Sequence, residues 1–582
     1  MNRREFIDLL AKASLTASLG GCTNLRDFSY TTPAFGQARL LHITDTHAQL
    51  LPIHFREPNV NLGIGNALGK VPHRVGQNLL DTLQNPSARD AHAFTYLDFT
   101  EAALRFGKVG GFAHLQTLIN NLRDEVAGQA LLLDGGDTWQ GSATALWTKG
   151  RDMVDACNLL GVDVMTGHWE FTYQDSHTLE NANRFNGDFV AQNVKATEDA
   201  LFEGTHVFDE DSGHIFPPYT IKTVNGRRIA IIGQAFPYTP IANPQRFIPD
   251  WTFGIQEQDL AELIEEIRHS ESPDAVILLS HNGMDVDLKL ASRVSGIDFI
   301  LGGHTHDGIP EPVVVNNSGG KTLVTNAGSN GKFLGVLDIA FDSTGVSDYR
   351  YRLLPVFANL ITPDPVMQAH ITKVRAPYLD RLNEPLAVAG SLLYRRGNFN
   401  GTFDQLICDA LTQELDAEIS LSPGFRWGTS VLPGQTITME RLMDQTAMTY
   451  PETYTREMSG EQLKFILESV CDNLFAPDPY YQQGGDMVRV GGLQFSCTPT
   501  AMMGKRINDL SLSNGKPLSA SGSYKVAGWA TVGSKSTGPD VAKVVADYLR
   551  DKKTVSISSP NEPVLKGVKA NPGIADYKAK SQ

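Results

Sequence analysis

The stretch A-R-L-L-H-I-T-D-T-H, Ala38 to His47, decides the fold. An apolar run of strand length ends abruptly in Thr, Asp and His, so a buried strand delivers polar groups at its carboxyl end. The same grammar recurs in Q-A-L-L-L-D-G-G-D-T (Gln129 to Thr138), V-D-V-M-T-G-H-W (Val162 to Trp169), P-D-A-V-I-L-L-S-H-N-G (Pro273 to Gly283) and I-D-F-I-L-G-G-H-T-H (Ile297 to His306). Helical spacing separates these runs, in Phe112 to Glu125, Asp152 to Gly161 and Gln256 to Ser270. Apolar strands alternating with helices predict a layered α/β domain, and such sheets gather ligands at the carboxyl ends of their strands.

Seven groups capable of binding metal stand at those ends: Asp45, His47, Asp137, His168, His281, His304 and His306. In extended backbone, residues two apart point the same way, so the pairs Asp45/His47 and His304/His306 are each expected to face one cavity. Imidazoles mixed with carboxylates, without thiolates, suit manganese, zinc or iron. Seven ligands exceed one tetrahedral ion and suit two ions sharing a carboxylate.

The chain has 582 residues, 41 % of them hydrophobic, enough for more than one full core. Its net charge of −15 argues against nucleic-acid binding and against adsorption to anionic lipid. Arg3 and Arg4 precede a weakly apolar run of small residues ending near Cys22, the form of a twin-arginine export signal, with an ordinary first helix as the alternative. That reading places the protein in the periplasm. No stretch is apolar for long enough to span a membrane. Cys157, Cys408, Cys471 and Cys497 are scattered, show no zinc spacing and leave disulfides unassigned. The domain reading is: 1–35 signal and linker; 36–355 metal-binding domain, with an irregular insert at about 51–107 lying over the site; 356–385 linking helix; 386–566 substrate-binding domain; 567–582 loose tail.

Taken in order, D-x-H, G-G-D, G-H-W-E, a strand-end His and G-H-x-H resemble the motifs of the calcineurin-like metallophosphoesterases, and with the second domain the chain resembles their 5'-nucleotidase branch. The resemblance implies a four-layer αββα N-terminal domain and a smaller α/β (α+β) C-terminal domain. It implies that Asp45, His47, Asp137 and His306 hold one ion, and that Asp137, His168, His281 and His304 hold the other, with Asp137 bridging. The third motif departs from the family. Where the family carries Asn and then a proton-donating His, this chain has His168 and Trp169. Where an Asp orients that His, it has Thr172.

T-G-H-W-E-F-T-Y-Q (Thr166 to Gln174) and Y-Y-Q-Q-G-G-D-M-V-R-V-G-G (Tyr480 to Gly492) resemble the SoxB-type thiosulfohydrolases. That resemblance implies two manganese ions and a partner, a sulfur-carrier protein with a cysteine on a flexible arm. It also implies a reaction in which a metal-held hydroxide attacks the terminal sulfur of a cysteine S-thiosulfonate and releases sulfate. The candidate catalytic residues are Trp169, which either meets the substrate or packs beneath it, and Asp134, which supports the site. The candidate substrate-binding residues are Arg426, Arg395, Arg396, Tyr480 and Tyr481. A surface ion pair is the plain alternative for Arg426. Glycines 484, 485, 491 and 492 suit close backbone approach. The rival functions are a periplasmic 5'-nucleotidase or phosphodiesterase, and a non-catalytic metal-dependent component of an assembly.

Overall fold

Two six-stranded sheets stand face to face in the first half of the chain. The structure is a computed structural model and describes residues 30–574. The export signal, Cys22 and the end of the tail lie outside the described residues. No described helix is long and apolar enough to cross a membrane.

The strands of the first half are β1 (Ala38–Ile43), β2 (Ala130–Asp134), β3 (Val164–Met165), β4 (Asp188–Phe189), β5 (Tyr219–Val224), β6 (Arg227–Gln234), β7 (Ala275–Ser280), β8 (Phe299–Gly302), β9 (Val313–Asn317), β10 (Gly320–Asn326), β11 (Phe333–Asp342) and β12 (Gly345–Pro355). The first sheet has the order β12-β11-β1-β2-β3-β4 and the second β9-β10-β8-β7-β6-β5. Strands β1 to β4 run parallel, as do β6, β7, β8 and β10. Register brings their ends level. Ile43 lies opposite Asp134, Asp134 opposite Met165, Gln234 opposite Ser280, and Ser280 opposite Gly302. All five loops that carry candidate ligands therefore leave the sheets at one edge.

Alternation explains the layers. Leu40, Leu131, Leu133 and Val164 face Ile229, Ile231, Ile277, Leu279 and Leu301 across the gap between the sheets. The intervening residues of the second sheet, Ala230, Ile232, Val276, Leu278 and Ile300, pack under helices α3 (Glu257–Ser270) and α4 (Met284–Arg293). Helices α1 (Phe112–Asp124) and α2 (Arg151–Leu160) pack together in the remaining layer. This is the expected αββα sandwich. The linking helix α5 (Pro365–Arg375) is capped by Asp364 and lies against α1 and α2.

The second half adds α6 (Thr402–Glu414), β13 (Ile419–Gly424), β14 (Thr453–Ser459), α7 (Gly460–Phe475), β15 (Asp486–Gly491), β16 (Leu493–Cys497), β17 (Ile507–Leu512), β18 (Ser523–Trp529) and β19 (Val564–Leu565). One sheet has the order β14-β18-β13-β15, and a small sheet has the order β17-β16-β19.

Part of the insert reaches the metal-capable groups: Asn61, Leu62, Pro72 and His73 line a small cavity shared with His304 and Arg426. Val60 and Leu62 are buried in the core of the second half beside Phe399, Ile419 and Leu421. The guanidinium of Arg56 lies between the rings of Tyr96 and Tyr394, 4.9 and 4.0 Å from their centroids. The later part of the insert is helical, Ala88–Phe94 and Phe99–Phe106: His92 packs on Phe99 and Phe106, Phe94 on Phe333 and Phe106 on Phe357.

Candidate metal centre

The five loops bring all seven predicted groups together. Ligand atoms of Asp45, His47, Asp137 and His306 form one group and those of His168, His281 and His304 another, each within 4.8 Å. Asp137 stands between them. Its Oδ2 lies 3.1 Å from His168 Nδ1, 3.2 Å from His281 Nε2 and 3.7 Å from His47 Nε2. Asp45 Oδ1 lies 3.2 Å from His306 Nε2 and 3.6 Å from His281 Nε2.

The route to convergence is not the extended one expected. Asp45, His47, Asp137, His304 and His306 all have positive φ, between 46° and 70°. Each such position costs a non-glycine residue on the order of 1–3 kcal/mol. Burial of one leucine contributes a comparable ~1.5–3 kcal/mol, and Leu40, Leu41, Leu132, Leu133 and Leu301 on the adjoining strands are fully buried. The loops are also zipped together. Asp45 N–H donates to Gly136 O at 2.8 Å, and His47 N–H to Asp137 O at 2.9 Å. His304 N–H donates to both oxygens of Asp45, at 3.0 and 3.1 Å. Gly303 permits that approach, because a Cβ there would lie 2.4 Å from Thr44 Oγ1.

Glu170 ties these loops to the third. Sequence reasoning passed it over, although it closes the G-H-W-E motif. Its buried carboxylate accepts backbone N–H groups from Asp137 (3.2 Å), Thr138 (2.8 Å), Trp139 (3.1 Å) and His168 (2.8 Å). Asp134 supports the same turn, its Oδ1 accepting Gly136 N–H and Thr138 Oγ1–H, and it does not reach the cavity. Burial holds its carboxyl well above the usual range.

The electrostatics fit a cationic centre. Burial lowers His47 to about 4 and His168 below its ordinary value. Burial, helped by Arg426 and Arg396 respectively, holds His304 and His306 well below theirs. Neutral imidazoles are the form that ligates. His281 is the exception. Burial lowers it, but Asp137 and Asp45 outweigh that and push it up to about 10. Its Nδ1 donates to Gly135 O at 2.6 Å, which aims Nε2 at the two carboxylates. Ring nitrogens of His47, His168, His281, His304 and His306 are buried without a hydrogen-bond partner. At His47 and His306 it is Nδ1 that lacks a partner, while their Nε2 atoms face the carboxylates 3.0 Å from each other. These nitrogens, with those of His168, His281 and His304 and the two carboxylates, are a donor set for two divalent ions.

A cavity of about 360 Å³ opens from this centre toward the second half. His47, Asp137, His168, His304 and His306 line its inner end, and Phe425, Trp427, Trp529, Ile466, Val470 and Val488 form much of its wall. Trp169 lines the cavity and packs edge-on against Phe425 and Trp427, at 5.6 and 5.3 Å. Phe236, unmarked by any sequence signal, lies against both His168 and His304 with ring centroids 4.1 Å apart. Thr172 bonds Thr449 across the two halves at 2.6 Å.

The predicted substrate-binding residues separate. Arg426 lines the cavity and is held by His304 O, Gly485 O and Asp486. Arg395 does not reach it: the side chain is fully buried on Asp404 (2.7 Å) and Gln445 O (2.6 Å). Arg396 lies behind the ligand loop, donating to Thr305 O and His306 O. Tyr480 turns away to Glu257, 2.6 Å from its hydroxyl, and Tyr481 is 66 % exposed. Neither lines the cavity. Gln483, Gly484, Gly485 and Asp486 line it instead. Close approach is required at Gly484, where φ is +82° and a Cβ would lie 2.1 Å from His304 Nε2, and also at Gly491 and Gly492, where a Cβ would lie 2.3 Å from Ser420 Oγ and 2.0 Å from Glu418 O.

Comparison with known proteins agrees with this geometry. A family model described as calcineurin-like phosphoesterase matches residues 38–308, and one described as 5'-nucleotidase, C-terminal domain, matches 389–544. The solved structure of sulfate thiohydrolase SoxB from Thermus thermophilus is 35 % identical, with a TM-score of 0.85, over 92 % of this chain and 98 % of that one. The trifunctional nucleotide phosphoesterase YfkN of Bacillus subtilis is 26 % identical over 74 % of this chain and 31 % of its own length. Bovine 5'-nucleotidase is 28 % identical over 52 % of this chain and 54 % of its own. The chain thus spans about a third and about half the length of these two relatives.

Proposed function

The chain belongs to the 5'-nucleotidase branch of the calcineurin-like phosphoesterases, and from that premise we propose that it is a thiosulfohydrolase. Its substrate is a cysteine S-thiosulfonate on the flexible arm of a sulfur-carrier protein. Water attacks the terminal sulfonate sulfur, the S–S bond to it breaks, and sulfate, two protons and a carrier persulfide anion result. Asp45, His47, Asp137 and His306 would hold one manganese ion, and Asp137, His168, His281 and His304 would hold the other. Bound there, the ions supply Lewis acidity toward the sulfonate oxygens and acidify water.

The observation that carries this reading is His168–Trp169. Every imidazole lining the cavity is a candidate ligand, so none is free to protonate an alkoxide. The indole of Trp169 has a donor but no proton to transfer at neutral pH. A perthiolate is a weaker base than an alkoxide and departs without that help. Arg426 offers a fork matched to a sulfonate. The cavity between the halves, with its aromatic wall, has room for a thin peptide arm. Phe425 and Trp427 are stacked on each other at 4.1 Å, which leaves no slot between them for a base. The similarity to a sulfate thiohydrolase supports a sulfate-releasing hydrolysis. On this reading the protein works in the periplasm after twin-arginine export.

The test sets sulfate release from a thiosulfonate-charged carrier beside phosphate release from nucleotides, using the manganese-loaded protein. Sulfate release is expected to dominate and to vanish in His168→Ala and His304→Ala. Faster phosphate release would favour the nucleotidase. Sulfate release that survives both substitutions would defeat the assignment.

A further inference from the structure

Two thiols meet far from the chemistry. Cys471 on α7 and Cys497 at the end of β16 place their sulfurs 3.6 Å apart, both buried in the core of the second half. Between them in sequence lies the segment that presents Asn473, Gln483, Gly484, Gly485, Asp486 and Val488 to the cavity. One anchor lies near the C-terminal end of a sixteen-residue helix, four residues before Phe475. The other is a strand whose last residues pair with Val564 and Leu565. Both anchors are well packed, yet the segment between them carries exposed Tyr481 and the left-handed glycines 484 and 485. Gly484 must nonetheless stay against His304.

We infer that Cys471 and Cys497 form a disulfide that clamps both ends of this cavity-wall segment. A disulfide needs its sulfurs about 2.05 Å apart, so closure moves them by roughly 1.5 Å, within the reach of side-chain rotation. The chemistry is thiol–disulfide exchange with a disulfide-bearing oxidant. One cysteine thiolate attacks the oxidant and forms a mixed disulfide. The second cysteine then displaces it, and the two electrons and two protons leave as two thiols of the reduced oxidant. Both sulfurs are fully buried in the folded chain, so the exchange runs while the chain folds, before this core closes. Cys157 and Cys408, buried elsewhere, stay reduced.

The assay refolds the full-length protein in oxidised glutathione, loads it with manganese, then unfolds it in excess alkylating agent and digests it. Of the five cysteines, three are expected to be alkylated, with a peptide joining residues 471 and 497. Five alkylated cysteines, or a link from Cys471 to another partner, would overturn the inference. Reduction is expected to lower the melting temperature of the oxidised wild type by several degrees and to leave Cys471→Ala and Cys497→Ala unmoved. A wild type indifferent to reduction would defeat the clamp even if the bond forms. None of these readouts depends on the sulfur substrate.

Discussion

Replacing Glu170 by Gln removes one negative charge and one acceptor oxygen while keeping the shape. Its Oε1 accepts from Thr138 and Trp139, and its Oε2 from Asp137 and His168. Whichever oxygen becomes the amide, two buried N–H groups lose their partner and face another donor. Each unsatisfied buried group costs ~1–3 kcal/mol, so Glu170→Gln should weaken this junction by ~2–6 kcal/mol. The affected amides belong to the turns that place Asp137 and His168, so loss of metal affinity should accompany loss of order. Hydrogen exchange followed by mass spectrometry reads this directly. Amides of 137–139 and 168 should exchange at least ~30-fold faster, since 1.4 kcal/mol is a factor of ten, while amides of the distant small sheet stay unchanged. Metal content after dialysis should fall in parallel. Unchanged protection with full metal content would show that these four hydrogen bonds do not hold the site, and the account of loop placement would fail.

Arg426→Ala should raise KM for the thiosulfonate substrate ~10- to 100-fold, from the ~1.5–3 kcal/mol of a hydrogen bond to a charged group, and Arg426→Lys should recover little because lysine lacks the fork. An unchanged KM in steady-state assays would return Arg426 to a structural ion pair with Asp486. His73 gives a pH prediction. Burial lowers its pKa, but Asp285 at 2.7 Å and, more distantly, Asp307 outweigh that and raise it. A raised imidazole stabilises the fold fully below its ordinary value near 6.5, and that stability is lost as pH rises through the folded value. Urea midpoints of the wild type should therefore decline from about pH 6.5 upward relative to Asp285→Asn, and parallel profiles would refute the pairing.

Much of the metal centre is legible in the chain because each group is fixed to the end of a strand, and strand ends are local events. Asp45, Asp137, His168, His281 and His304 need only an apolar run followed by a turn. The substrate side was less legible. Tyr480 and Tyr481 stand beside the glycines that line the cavity, but an exposed turn sets their direction and no periodicity encodes it. Arg395 and Arg396 are adjacent, yet one is spent on Asp404 and the other on carbonyls of the ligand loop.

The sequence by itself determined the layered fold, the seven metal-capable groups and the loss of a proton-donating imidazole at the third motif, because strand burial and residue identity are properties of short segments. Tertiary structure alone decided that the ligands converge through left-handed turns, that Glu170 ties the second ligand loop to the third, that the insert anchors in the second half, and that Cys471 meets Cys497. Each of these rests on contacts between residues distant in the chain, whose energies depend on packing and hydrogen-bond geometry and leave no periodic trace.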